Sequence, residues 1–93
     1  MLNIKEKQIV IDFMNMEQGF VNQHLAQRDK HTMNGCPTLA EAEQNRANSC
    51  CTKMRGIIDL FDSMGYKFIY NDDWNNYGIR TLKDLAEKPG KNN

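Results

Sequence analysis

Two segments whose apolar residues recur at helical spacing, separated by one short turn signal, constrain this chain more than any other feature. The first covers about residues 4–27 and the second residues 38–64. Both patterns repeat about every 3.6 residues, which predicts two amphipathic helices. Asn34-Gly35 is a turn dipeptide, and Pro37 disfavours a helical conformation in the residue before it. The sequence therefore predicts a loop over residues 29–37 and an antiparallel helical hairpin around it.

The ends of both predicted helices carry capping patterns. Asn3 stands before the first helix and is followed three residues later by Glu6, as in a capping box. Thr38 and Glu41 have the same spacing at the start of the second helix. Gly65 follows the second helix, where glycine commonly adopts the left-handed conformation that ends a helix. These patterns predict that the second helix begins at Thr38 and ends near Gly65.

A short strand is predicted directly after the hairpin. Tyr66, Phe68 and Tyr70 alternate with Lys67 and Ile69, which is the two-residue period of a strand.

The last part of the chain predicts a second strand and a third helix. The segment "YGIRT" over residues 77–81 favours a returning strand, and Thr81 followed by Asp84 has the form of a helix start before "LKDLAEK". We therefore expect an α+β, mainly helical fold with a long antiparallel helical hairpin, a small β element and a short C-terminal helix. Residues 1–88 are expected to form a single small domain, followed by a disordered tail over residues 89–93.

The adjacent Cys50 and Cys51 lie within the apolar stripe of the second helix, which favours packing over chemistry. Free cysteine behaves as a small hydrophobic residue and is often buried. Together with His24, His31 and Cys36, these residues contain enough ligand atoms for zinc, but compact zinc modules use short pairs of cysteines with two to four residues between them. We therefore expect no bound metal and no cofactor.

Charge and hydropathy argue against several classes of protein. The 12 basic residues balance the 12 acidic ones, so no net positive charge attracts nucleic acid. No run approaches the about 18 apolar residues of a membrane span. The N-terminal residues lack the basic and long apolar regions of a secretory signal, and 3 cysteines do not suit a disulfide framework, which usually has an even number. We expect a cytoplasmic protein.

The segment "NDDWNNYGIR" is the strongest candidate for a contact surface. It follows the predicted strand, and loops on rigid scaffolds commonly carry binding residues. Tryptophan, tyrosine and arginine dominate the energetics of protein interfaces. The sequence predicts that partner contacts come from Asp72, Asp73, Trp74, Tyr77 and Arg80. The alternative is that Trp74 and Tyr77 close the core over the hairpin.

No catalytic constellation is recognisable in the sequence, which favours a non-enzymatic protein. Phosphate-binding glycine loops, nucleophile elbows and zinc-protease motifs are absent from it. Small stand-alone domains of this kind are frequent among accessory proteins of phages and mobile elements. We therefore expect a protein-interaction module that binds and inhibits a host protein, such as a nucleic-acid-targeting defence enzyme in an anti-CRISPR-like role.

Self-association is a further expectation from the size of the chain. A domain of this size buries only about 60–65% of its unfolded surface, so a homodimer with hairpins packed as a four-helix bundle is also expected.

A small nucleic-acid-binding regulator is the alternative function. It would use Arg46, Lys53 and Arg55 on the second helix, together with Lys67 and Arg80. A steep salt dependence of binding would favour this alternative, because release of counterions dominates affinity for nucleic acid. A complex with a protein that survives nuclease treatment would favour the interaction module.

Overall fold

Four elements follow one another along the chain: helix α1 (Ile4–Met33), helix α2 (Pro37–Ser63), strand β1 (Tyr66–Tyr70) and strand β2 (Leu82–Glu87). The computed structural model describes residues 2–73 and 77–89. The two helices pack side by side in opposite directions, and the two strands pair as an antiparallel sheet. This arrangement confirms the predicted α+β class and its long helical hairpin. Within the described ranges, neither helix is long and apolar enough to cross a membrane.

The turn between the helices is shorter than predicted. Helix α1 continues to Met33, so the prediction of a loop over residues 29–37 is wrong. The last turn of α1 includes the Thr32 hydroxyl, which donates to the Arg28 carbonyl at 2.9 Å. Lysine and arginine are good helix formers, so this polar stretch extends the helix instead of breaking it. The chain turns at Gly35, whose φ of +71° lies in the left-handed region that glycine adopts easily.

One of the two predicted capping boxes is present. Asn3 Oδ1 accepts from the Glu6 N–H at 2.8 Å, and Glu6 Oε1 accepts from the Asn3 N–H at 2.9 Å, which confirms the first box. The second prediction is wrong, because α2 begins at Pro37 rather than at Thr38. Its cap residue is Cys36, which makes no side-chain capping hydrogen bond. Proline suits the first helical position because the N–H group that it lacks would have no helical partner there.

The C-terminal segment forms a strand where the sequence predicts a helix. Strand β2 occupies Leu82–Glu87, so the helix expected after Thr81 and the returning strand expected over residues 77–81 are both wrong. Leu82 and Leu85 are buried, and their three-residue spacing resembles one face of a helix. A register shift in the pairing with β1 gives β2 an extra residue, so both leucines lie opposite the inner face of β1. Tertiary packing thus overrides the local helix signal.

A side chain from the middle of α1 fixes the sheet to the hairpin. Asn15 Oδ1 accepts from the Leu82 N–H at 2.7 Å, and its Nδ2 donates to the Leu82 carbonyl at 3.1 Å. Met14 is fully buried against Leu82, whereas Met16 is 48% exposed. Helix α1 therefore presents one side to α2 and the sheet and leaves another side uncovered.

A second buried cluster connects the two helices nearer to the turn. It consists of Val21 from α1 and of Ala47 and Cys50 from α2. The prediction that residues 1–88 form a single domain stays a prediction. Residues 90–93 of the expected disordered tail lie outside the described residues.

Candidate functional site

A groove opens between the two helices, beside the segment that leads into β2. Its volume is about 370 Å³, near the lower end of the range for ligand sites. The described residues that line it are Met14, Gln18, Val21, Cys51, Met54, Arg55, Ile58, Tyr70, Gly78, Ile79 and Arg80. The α1 residues of this set are three or four positions apart, so they share one face of the helix. Most of the lining is apolar, which makes the groove suitable for an apolar side chain.

Gln18 interrupts the apolar lining that α1 contributes. It is only 6% exposed, and its Oε1 has no hydrogen-bond partner among residues 2–73 and 77–89. A buried polar atom without a partner costs about 1–3 kcal/mol, and such atoms are uncommon in folded proteins. A residue of the groove lining thus carries a buried hydrogen-bonding atom that the described part of the fold does not use.

Two arginines border the groove. Arg55 reaches it from α2, is exposed, and forms no ion pair with any described residue. Arg80 reaches it from the segment before β2, with its guanidinium carbon 5.5 Å from the centre of the Tyr70 ring and Nη1 3.9 Å from Asp72 Oδ1. Burial raises the pKa of Tyr70, which keeps this phenol neutral. The groove therefore combines an apolar floor with a cationic border.

Tyr77 holds the segment before β2 against α1. Its hydroxyl donates to Asp29 Oδ2 at 2.7 Å, and the Arg28 guanidinium carbon lies 5.9 Å from its ring centre. This hydrogen bond is the main reason why the pKa of Asp29 is lowered and the pKa of Tyr77 is raised. The predicted contact residue Tyr77 is thus half-buried, and it positions residues 78–80 along the groove.

The other predicted partner-binding residues lie around the same segment. Asp72 and Asp73 are exposed, and Asp72 Oδ1 lies 3.9 Å from Arg80 Nη1. Trp74 lies outside the described residues, so its predicted contact stays a prediction. The structure therefore brings one residue of the predicted set, Arg80, to the groove, and Tyr77 supports the groove from the side.

The cations predicted for nucleic-acid binding do not form one patch. Arg46 Nη1 lies 3.0 Å from Glu43 Oε2, and Lys53 Nζ lies 3.4 Å from Glu17 Oε1, so carboxylates compensate both charges. Arg55 follows Lys53 by two residues, which turns it about 160° around the helix axis. Arg55 therefore borders the groove, while the other two cations lie on a different side of α2.

The cysteines divide between core and groove. Cys50 is buried in the cluster between the helices, and this burial is the main reason why the pKa of its thiol is raised. The prediction that Cys50 packs in the core is confirmed. Cys51 is half-buried and lines the groove, and Cys36 is half-buried at the turn. In the described parts of the chain, no three His, Cys, Asp or Glu side chains come together in a way that could hold a metal ion.

Gln18 is the groove residue that sequence reasoning missed. The signal was present, because Gln18 stands between Met14 and Val21 on the apolar stripe of the first helix. An amide at a position where the period requires an apolar residue is a mismatch between the local pattern and the fold, and such mismatches are expected at functional sites. Comparisons with protein-family models, with curated proteins and with solved structures found no match.

Proposed function

We propose that this protein is a protein-interaction module whose groove binds an apolar segment of a partner protein that carries a carboxylate. The observation that carries this proposal is the side chain of Gln18. It is buried at the groove, and its Oε1 has no partner among the described residues. Because Oε1 is buried in the free protein, the Gln18 side chain would rotate toward the groove, where a backbone N–H group of a bound peptide would donate to it.

The remainder of the lining indicates what else the segment contains. The half-buried Met54, Ile58 and Ile79 would pack against an apolar side chain of the partner. Complete burial of a side chain the size of leucine or phenylalanine contributes about 1.5–3 kcal/mol. This is the type of anchor that dominates the energetics of protein interfaces.

The positive charge at the border of the groove favours a partner segment with a negative charge. Arg55 borders the groove and has no carboxylate partner within the described residues. An aspartate or glutamate next to the apolar anchor would form charge-assisted hydrogen bonds with the Arg55 guanidinium group. We therefore propose a partner segment that combines a leucine-like or phenylalanine-like side chain with an acidic one.

Nucleic-acid binding is less well supported by the same residues. The chain has a formal net charge of zero, and carboxylates compensate Arg46 and Lys53. An apolar floor offers little to a phosphate backbone, which requires several uncompensated cations. The expectation that the partner is a host protein, such as a nucleic-acid-targeting defence enzyme, stays a prediction.

A peptide-display selection tests the proposal, because it presents many candidate partner segments to the groove at once. A random library is selected on the wild-type protein, after depletion on the double variant Arg55→Ala, Gln18→Leu. We expect enrichment of peptides in which aspartate or glutamate neighbours an apolar anchor. Enrichment of basic peptides, or peptides that bind the depleting variant equally well, would contradict the proposal. Salt-sensitive binding of a random single-stranded oligonucleotide at the same groove would favour the nucleic-acid alternative.

The predicted contribution of Trp74 is tested with the selected peptide. Trp74→Ala is assayed for both thermal unfolding and peptide binding. Lost binding with an unchanged unfolding curve supports a direct contact, and an interface anchor should lose at least about 2 kcal/mol, or roughly thirtyfold in affinity. Collapse of the fold would instead assign Trp74 to the core, which is the alternative that the sequence leaves open.

A further inference from the structure

A second apolar surface lies on the side of α1 that turns away from the groove. Ile9, Phe13, Met16 and Phe20 follow one another at intervals of four, three and four residues, which is the spacing of a coiled-coil seam. Ile9, Met16 and Phe20 are 63%, 48% and 39% exposed, and Phe13 is half-buried. Large apolar side chains at this spacing are typical of a helix face that packs against another helix.

Helix α2 extends this surface with Leu60. Lys53 Nζ lies 3.4 Å from Glu17 Oε1, and Glu17 lies between Phe13 and Phe20 along α1. Leu60 is 56% exposed and follows Lys53 by seven residues, so both lie on the same face of α2. We define the uncovered face by the five side chains of Ile9, Phe13, Met16, Phe20 and Leu60.

We propose that the uncovered face binds a second copy of this chain, so that two hairpins form a four-helix bundle. A self-complementary contact requires a surface without a strong charge of one sign, because two copies present the same charges to each other. Two copies carry no net charge that would make them repel each other, since the formal net charge of the chain is zero. The opposite charges of Glu17 and Lys53 beside the uncovered face pair with each other within one copy.

The dimensions of the molecule also suit a dimer. It extends 56 × 22 × 22 Å, so a long side of the hairpin offers more than the about 800 Å² that each partner buries in a standard interface. The heptad-like spacing on α1 also suits knobs-into-holes packing. In this packing, apolar side chains of one helix fit between those of a second helix that lies at a small angle to it. A dimer of this kind would cover the apolar side chains that the two-stranded sheet leaves exposed.

The proposed dimer is independent of the proposed groove function. Gln18 is two residues away from both Met16 and Phe20, so it points about 160° away from them around α1. Two copies joined through the uncovered face would therefore leave both grooves accessible. Failure of one proposal leaves the other standing, because peptide binding and oligomeric mass are measured separately.

Sedimentation equilibrium between about 1 μM and 1 mM protein tests the dimer. We expect the wild-type mass to rise to that of two chains within this range. Met16→Glu is expected to raise the dimer dissociation constant at least about tenfold, because it places a carboxylate in an apolar contact. Ile9→Glu is a second variant with the same expectation, and circular dichroism checks that both variants retain their helices.

Met33→Glu is the matched control for these variants. Met33 belongs to the same helix and is 86% exposed, but it lies at the turn and outside the uncovered face. We expect this variant to dimerise like the wild type. A single-chain mass at every concentration would overturn the proposal. Equal loss of the dimer in Met33→Glu, or a dimer that persists in both Met16→Glu and Ile9→Glu, would also overturn it.

Discussion

The Tyr77 hydroxyl donates a hydrogen bond to the Asp29 carboxylate at 2.7 Å, although 48 positions separate the two residues in the chain. The bond joins the segment before β2 to the last third of α1. Residues 78–80, which follow Tyr77 directly, line the groove. The position of one wall of the groove therefore depends on a contact that lies outside it.

Alkaline pH is expected to weaken this contact. The hydrogen bond to Asp29 raises the pKa of Tyr77 above its ordinary value of 10.0, so the folded state holds this proton more tightly than the unfolded state. The resulting stabilisation is complete below pH 10.0 and is lost as the pH rises through the raised pKa of the folded state. Urea unfolding across this range measures the loss. Tyr77→Phe should reduce the slope of the free energy of unfolding against pH, whereas a slope equal to that of the wild type would contradict the assignment.

Acidic pH is expected to weaken another contact, which joins helix α1 to helix α2. His24 Nδ1 donates to Glu43 Oε1 at 2.7 Å, and this hydrogen bond is the main reason why the pKa of Glu43 lies below its ordinary value of 4.5. The stabilisation is present above pH 4.5 and is lost as the pH falls through the lowered pKa of the folded state. Glu43→Gln should make the free energy of unfolding less dependent on pH in this range. His24→Ala should have the same effect on the slope, and an unchanged slope in both variants would rule out this contact as its cause.

Two methionines of one helix should respond differently to truncation. Met14 is completely buried, so Met14→Ala is expected to lower the free energy of unfolding by about 2–5 kcal/mol. Met16 is 48% exposed in the single chain, so Met16→Ala in dilute protein should change it by less than about 1 kcal/mol. Chemical denaturation of both variants measures the difference. Equal losses would mean that the buried face of α1 is assigned incorrectly.

Gln18→Leu is expected to stabilise the fold while it impairs binding. The substitution removes a buried oxygen that lacks a partner among the described residues and should raise the free energy of unfolding by about 1 kcal/mol or more. Gln23→Leu is the matched control, because Gln23 is exposed on the same helix and should change the free energy by less than about 0.5 kcal/mol. Destabilisation by Gln18→Leu would show that the amide serves the fold and not a ligand.

The parts of the fold that were predictable are those in which local and tertiary signals agree. The Asn3–Glu6 capping box and the alternating Tyr66–Tyr70 strand are present as predicted, because the local pattern of each agrees with the packing around it. Strand β2 was not predictable in this way. Leu82 and Leu85 have helical spacing in the sequence, and only the register shift against β1 makes that spacing compatible with a strand.

The groove was only partly predictable for the same reason. Arg80 was identified from the composition of its segment, and Arg55 was identified for a different function. No local pattern predicts that these two residues border one groove, because the segment before β2 reaches α1 through tertiary contacts such as the Tyr77–Asp29 hydrogen bond. Gln18 was visible as a mismatch in an apolar stripe, but its meaning depends on the absence of a hydrogen-bond partner among the described residues.

The most direct test of the groove is the affinity of a display-selected acidic peptide for two matched arginine variants, measured by titration calorimetry. Arg55 borders the groove without a carboxylate partner among the described residues, whereas Arg46 lies on the same helix and pairs with Glu43 at 3.0 Å. Arg55→Ala should weaken binding at least about tenfold, and Arg46→Ala should leave it within about twofold. Equal affinity of both variants and the wild type, or a larger loss in Arg46→Ala, would contradict the assignment of the groove as the binding site.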